Sequence, residues 1–256
     1  MQDLSKVMSV NDLVVKYNKT NLIPIINPQI GANEGIRAML MYRINSKLQE
    51  IDSSPIVKAA YWFCFKDIPC YADTTLNALN PLKTFCIFRL IKLRKNKNGE
   101  SIYPLTFDKE KDEWTLRNNL LQLILDNLDE IFDGYGELKD KFDSFSNLMY
   151  CFANLIPVPK GYNGINQQKG DYKDNNDYPY FYYQSLKKRE DPMLNWVDEH
   201  LEDYHITGLY NLEPPFKKPD HRFEDGDLDN LTLYIERAIS AIEERADWLT
   251  EKYTKK

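Results

Sequence analysis

Three histidines, His200, His205 and His221, are the only imidazoles in the 256 residues, and all lie in the last quarter of the chain. Imidazole is the side chain that titrates near neutral pH, so this scarcity limits general acid–base chemistry. His200 and His205 are five apart, on different faces of a helix, which argues against a two-histidine metal pair. No nucleophile elbow accompanies them. They read as ordinary surface histidines. The four cysteines, Cys64, Cys70, Cys86 and Cys151, are scattered and form no C-x-x-C pair. Three sit in apolar surroundings, "YWFCF", "TFCIF" and "MYCFA". That context predicts buried, reduced thiols without redox or zinc work. Neither a Walker-type phosphate loop nor a G-x-G-x-x-G fingerprint occurs. Residue types and spacing therefore assign no catalytic residue, no metal ligand and no cofactor.

One carboxylate series has ligand-like spacing. Asp225, Asp227, Asp229 and Glu236 fall at positions 1, 3, 5 and 12 of a calcium-loop pattern. Position 6 is Asn230 instead of glycine, and an apolar helical stripe already runs through Leu228 and Leu231. The simpler expectation is acids gathered at a helix N-terminus, where the backbone dipole favours negative charge.

The densest group of polar and turn-forming residues is "ANLIPVPKGYNGINQQKG", Ala153 to Gly170. A helix is expected to end against Pro157, and Pro159 to hold the chain extended. Lys160-Gly161 then turns it. Small and polar residues beyond that point expose backbone donors, which with two flanking lysines could hold an anion. The candidate binding residues are Lys160, Asn163, Asn166, Gln167 and Lys169. The same residues also suit a rigid connection whose asparagines bond their own backbone, and shaping a turn is their first expected duty.

This stretch resembles the G-N-[LF]-x-x-[LIF]-P-K-x-x-N and I-N-x-x-R-G signatures of an uncharacterised bacterial protein family. As in that family, an aromatic-rich segment, "DYPYFYYQSL", leads into a D/N-P-L-like helix, "DPMLNW". The similarity spans roughly Phe142 to Val197, with Ala153 where glycine is usual and Lys169 where arginine is usual. It implies a mainly helical cytoplasmic protein without an established activity. The central residues are more distantly similar to a "G-N-L-T-L-L-P-K-x-x-N" piece of HNH-type nucleases from modification-dependent restriction systems. That similarity implies a metal-holding role for Asn163 and a general-base histidine upstream of it. No histidine precedes His200, so the borrowed mechanism lacks its base. The expectation is a non-enzymatic or enzymatically degenerate protein that binds a partner, in the phage-defence or counter-defence setting that the likeness implies, with a divergent HNH-like nuclease as the alternative.

The elements that must position these residues are mostly helices. Apolar stripes run through Ile36, Leu40, Ile44, Leu48 and Ile51, and through Trp114, Leu121, Leu125, Leu128 and Phe132. A third joins Leu138, Phe142, Phe145, Met149, Phe152 and Ile156. The clearest joins Leu228, Leu231, Ile235, Ala238, Ile242 and Leu249, with Glu236, Arg237, Glu243, Glu244 and Arg245 on other faces. Shorter helices are expected in "SPIVKAAYWFCF", "PLKTFCIFRLIKL" and "DPMLNWVDEHLEDY", the last with Asp191 as cap and Pro192 in its first turn. Strand signals are confined to "NLIPIINPQI" and "GESIYPLTF", where proline limits them to edges. Residues 161–179 and 211–227 read as two long irregular connections. The fold class expected is mainly α, at most α+β: a multi-helix globular domain spanning 1–256, with minor short strands.

Composition fits that picture. Apolar residues make up 43% and charged residues 28%, ordinary for a globular chain. No apolar run reaches the length of a membrane span and no signal peptide is visible, so a cytoplasmic location is expected. The net charge of −6 is unevenly spread. Residues 1–106 hold 14 basic and 8 acidic side chains, and 107–256 hold 19 and 31. A basic N-terminal subdomain could pack on the acidic remainder. Alternatively, a basic patch at Lys92, Arg94, Lys95 and Lys97 could meet an anionic partner, a protein or a nucleic acid.

Overall fold

The structure is a computed structural model, and it describes residues 35–46, 70–74, 76, 79–93, 107–108, 113–114, 120–148, 152–159, 179–216 and 223–254. The described elements are α1 (Gly35–Ser46), β1 (Cys70–Thr74), α2 (Leu79–Leu93), β2 (Phe107–Asp108), β3 (Glu113–Trp114), α3 (Leu120–Asp126) and α4 (Leu128–Ile131). They continue as α5 (Gly136–Leu148), a 3-10 turn (Phe152–Asn154), β4 (Leu155–Pro159), α6 (Pro179–Arg189), α7 (Pro192–His200), α8 (Thr207–Asn211) and α9 (Asp227–Thr254). The expected mainly helical class holds. Among the described residues strands contribute only two short antiparallel pairs, β1 with β4 and β2 with β3.

The apolar stripes explain the assembly. In α9, Leu231, Ile235, Ala238 and Ile242 are fully buried, as are Phe142 and Phe145 in α5, with Leu138 nearly so. Those faces pack on each other, while α1 lays Ile36, Met39 and Leu40 against α5 and α3. Each Leu, Ile, Met or Phe among them contributes about 1.5–3 kcal/mol by leaving water. An aromatic cluster joins α2 to distant segments: Phe85 meets Phe132 and Tyr135 at 5.3 Å and Phe223 at 5.6 Å. Buried apolar residues from before and after residue 106 form one cluster. Cys86 lies within it, as expected of a thiol in "TFCIF".

Helix ends follow local chemistry. Asp191 Oδ1 accepts from Met193 N at 3.0 Å with Pro192 next, the cap read from the sequence. α6, and the turns that run on from α7 through residue 205, each close at a left-handed residue, Glu190 (φ 51°) and His205 (φ 50°). In each, a six-to-one bond spans the closing turn: Asp191 N to Leu186 O at 3.1 Å, and Ile206 N to Leu201 O at 3.0 Å. This is the Schellman arrangement, built here without glycine. Gly35 (φ 49°) opens α1 against α5, where a Cβ would lie 2.2 Å from Asp143 Oδ1. That same oxygen accepts from Ile36 N at 2.8 Å, so a neighbouring helix caps α1.

Several expectations are corrected. The stripe assigned through Phe152 and Ile156 is not one helix. α5 stops at Leu148, and Ile156 sits in β4, paired with Asp73 of β1. Pairing with residues some eighty positions away overrides local periodicity there. Pro157 and Pro159 are two apart, so both positions lacking an N–H share the outer edge, and Ile156 and Val158 are left to bond the ladder. Trp114 belongs to β3, opposite Phe107, and not to the helical stripe that follows. Residues 179–189, read only as an aromatic-rich lead-in, form helix α6, and the short α8 was not foreseen. Phe107, the last residue of "GESIYPLTF", does begin β2. The segments "NLIPIINPQI" and "SPIVKAAYWFCF" lie outside the described residues.

Candidate functional site

The strand β4 ends at Pro159, and Lys160, Asn163, Asn166, Gln167 and Lys169 lie outside the described residues. What the structure describes is the root from which they emerge. Ala153 and Asn154, in the 3-10 turn just before β4, are both buried, at 2% and 0% exposure. The Asn154 side chain donates from Nδ2 to Leu76 O at 2.8 Å and accepts at Oδ1 from Leu76 N at 2.9 Å. It thereby continues the β1–β4 pairing by one further pair of bonds, using a side chain in place of backbone.

A second buried polar group holds the adjacent residue. Arg245 of α9 is fully buried; its Nη1 donates to Ala153 O and its Nε to Tyr204 O at 3.2 Å. The guanidinium therefore ties α9 both to the turn entering β4 and to the turns that follow α7. The planar fork of arginine suits two carbonyls held at a fixed angle. Set off the apolar stripe by its charge in the sequence, Arg245 is in fact buried at 0% exposure. Asn154 lies in the stretch Ala153 to Gly170, where the sequence alone assigns it no role. Its signal was present: an amide flanked by small and apolar residues, which must find partners when buried.

Two of the three histidines are described. His200 lies on α7, which packs against β4 as well as α6. Its ring stacks between Trp196 (4.3 Å) and Tyr204 (5.8 Å), and its Nδ1 lies 2.7 Å from Trp196 O. With a carbonyl as partner, Nδ1 carries the proton and Nε2 is the acceptor of the neutral ring. His205 is exposed and stacks on Trp248 at 5.5 Å. His221 lies outside the described residues. On the same side of the fold, Tyr183 on α6 donates to Asp198 Oδ1 at 2.6 Å. Burial, and then that carboxylate, push the Tyr183 hydroxyl well above the usual phenol range.

The remaining sequence candidates separate clearly. Asp227 to Glu236 are helical from the first turn of α9, so the series does not coil into a calcium loop. Asp227 Oδ2 instead accepts from Glu224 N at 2.8 Å, the return half of a capping box. Among the described residues no group of three or more His, Cys, Asp or Glu is placed to share a metal ion. Of the basic patch, Lys92 is described, and Arg94, Lys95 and Lys97 lie outside. Lys92 reaches Asp225 at 2.7 Å and lies 4.1 Å from the centre of the Phe88 ring. This ion pair runs from the basic front part to the acidic back part. Among the described residues no helix is long and apolar enough to cross a membrane.

Compared with known proteins, the chain matches no protein-family model, no curated protein and no solved structure.

Proposed function

We propose that this chain is a non-catalytic binding protein of the cytoplasm, in a phage-defence or counter-defence setting. The segment after β4 is its recognition element, with Lys160, Asn163, Asn166, Gln167 and Lys169 as contact residues. One observation carries the reading. Two buried polar side chains fix the turn that opens β4, the strand leading to this segment: Asn154 of the turn itself bonds Leu76, and Arg245 reaches Ala153 O from α9. Binding loops work from rigid supports, and buried polar bonds of this kind fix backbone position at the cost of desolvation. The lysines and amides favour an anionic or hydrogen-bonding partner, a protein surface or a nucleic acid.

Fluorescence anisotropy with labelled single- and double-stranded DNA and RNA, over a salt series, tests the nucleic-acid form of this reading. The expected result is salt-sensitive binding that Lys160→Ala/Asn163→Ala/Lys169→Ala weakens while Lys95→Ala/Lys97→Ala leaves it intact. Binding lost instead with the second pair would move recognition to the basic patch. A chain that binds none of the probes under low salt would leave a protein as the partner.

A second reading is a divergent HNH-like, metal-dependent nuclease. It is favoured by one feature: α7, which bears His200, packs against β4, the strand leading to Asn163. His200 Nε2 would then be the acceptor for a proton from water.

A further inference from the structure

The exposed side of α9 has a pattern that its own chain uses only in part, Trp248 stacking with His205 and Ala241 packing beside the core. Leu233, Arg237, Ser240, Ala241, Glu244 and Trp248 recur at helical spacing on one stripe, opposite the buried face. Leu233 is 44% exposed, one of two large apolar side chains so placed among the described residues. Arg237 makes no ion pair among the described residues. The Glu244 carboxylate accepts from Ser240 Oγ at 3.1 Å and otherwise faces outward. By contrast Glu236, one position off the stripe, is engaged by Lys141 at 3.4 Å. Beside the middle of the stripe, α8 and α9 leave a groove of about 440 Å³, flanked by Asn211 and Glu213.

The stripe is symmetric about its midpoint. Running outward from the Ser240–Ala241 step, Arg237 mirrors Glu244 and Leu233 mirrors Trp248. Two antiparallel copies of one helix place each residue opposite its mirror, as a twofold axis requires. We propose that α9 is the interface of a symmetric homodimer, packed antiparallel about Ser240–Ala241. Arg237 of each copy then faces Glu244 of the other, and Leu233 lies over the part of Trp248 that His205 and the core leave uncovered. Small residues at the centre let the two helices approach closely, and the partner helix fills the groove. From Leu233 to Trp248 the contact runs about 22 Å along the helix axis, four turns.

Charge reversal tests this directly, because the same two positions supply both ion pairs. Sedimentation of the full chain should show a dimer at micromolar concentration. Arg237→Glu alone and Glu244→Arg alone should each sediment as folded monomers, with Kd raised about a hundredfold or more by like charges placed opposite one another. An equimolar mixture of the two variants should dimerise, since every facing pair is again opposite in sign. The double variant should dimerise by itself. Leu233→Lys gives an independent disruption should either charge variant fail to fold. A wild-type chain that stays monomeric overturns the proposal. So does a dimer that survives both single reversals, which would place the interface elsewhere. Two monomeric variants whose mixture remains monomeric would overturn it as well, leaving this face to a different partner.

Discussion

Asn154 and Leu76 exchange two hydrogen bonds, 2.8 and 2.9 Å long, across 78 residues of sequence. A side-chain amide has the donor and acceptor of a peptide group, so one asparagine can replace a strand residue where the chain has turned away. The bonds lie at the point where the 3-10 turn becomes β4. They make the register of the β1–β4 pair depend on one buried side chain.

Asn154→Ala should therefore leave the Leu76 N–H and C=O buried and unpaired. An unsatisfied buried group costs about 1–3 kcal/mol, so a loss of about 2–5 kcal/mol is expected. Equilibrium urea unfolding measures it. Asn154→Gln, which keeps the amide on a longer arm, should not restore the wild-type value.

Arg245→Met keeps the apolar stem but removes donors from two carbonyls. The expected loss is about 3 kcal/mol, in line with charge-assisted bonds of about 1.5–3 kcal/mol each. Arg245→Lys should recover less than half of it, because one ammonium does not reproduce the fork that reaches Ala153 and Tyr204 together. Hydrogen exchange should show faster opening of β4 in both variants.

Glu190 occupies a left-handed position at φ 51° and is exposed. A non-glycine residue there costs about 1–2 kcal/mol. Glu190→Gly should raise stability by about 0.5–1 kcal/mol after the entropy of the freer unfolded chain is counted. His205→Gly, at φ 50°, should gain less, because it removes the ring stacked on Trp248. Thermal melts of the two variants give the comparison.

Burial alone pushes the Cys86 thiol well above its ordinary value of 9.0. In the unfolded chain the thiol ionises above about pH 9, whereas in the fold it keeps its proton. Cys86 therefore contributes stability that is complete below pH 9 and declines as pH rises above it, by about 1.4 kcal/mol per pH unit. Buried Tyr234 acts in the same sense from its ordinary value of 10.0 upward. Cys86→Ala should flatten the alkaline fall in urea stability between pH 9 and 10 while leaving the region below pH 8 parallel to wild type.

Much of the helical frame was legible because burial leaves a period in the sequence. The faces of α5 and α9, the helix over "PLKTFCIFRLIKL" and the Asp191-Pro192 cap all followed from spacing and capping chemistry. Where the reading failed, a distant contact had prevailed over a local pattern. Phe152 and Ile156 continue the α5 period by coincidence, and only β1, far back in the chain, shows that they belong to a turn and a strand. Arg245 is the opposite case. The intervals from Leu231 through Ile235, Ala238 and Ile242 land on it, yet its charge suggested solvent. Its carbonyl partners belong to segments 41 and 92 residues away, which no local window contains. The left-handed ends at Glu190 and His205 were hidden because glycine, the usual marker, is absent.

Divalent-metal-dependent cleavage tests the proposed function most directly. The purified chain is incubated with single- and double-stranded DNA and RNA in the presence of magnesium, manganese or zinc, beside Asn163→Ala and His200→Ala. A binding protein without catalysis predicts no cleavage by any of the three, whatever the metal. Cleavage by the wild-type chain that both substitutions abolish would contradict it and establish the nuclease reading in its place.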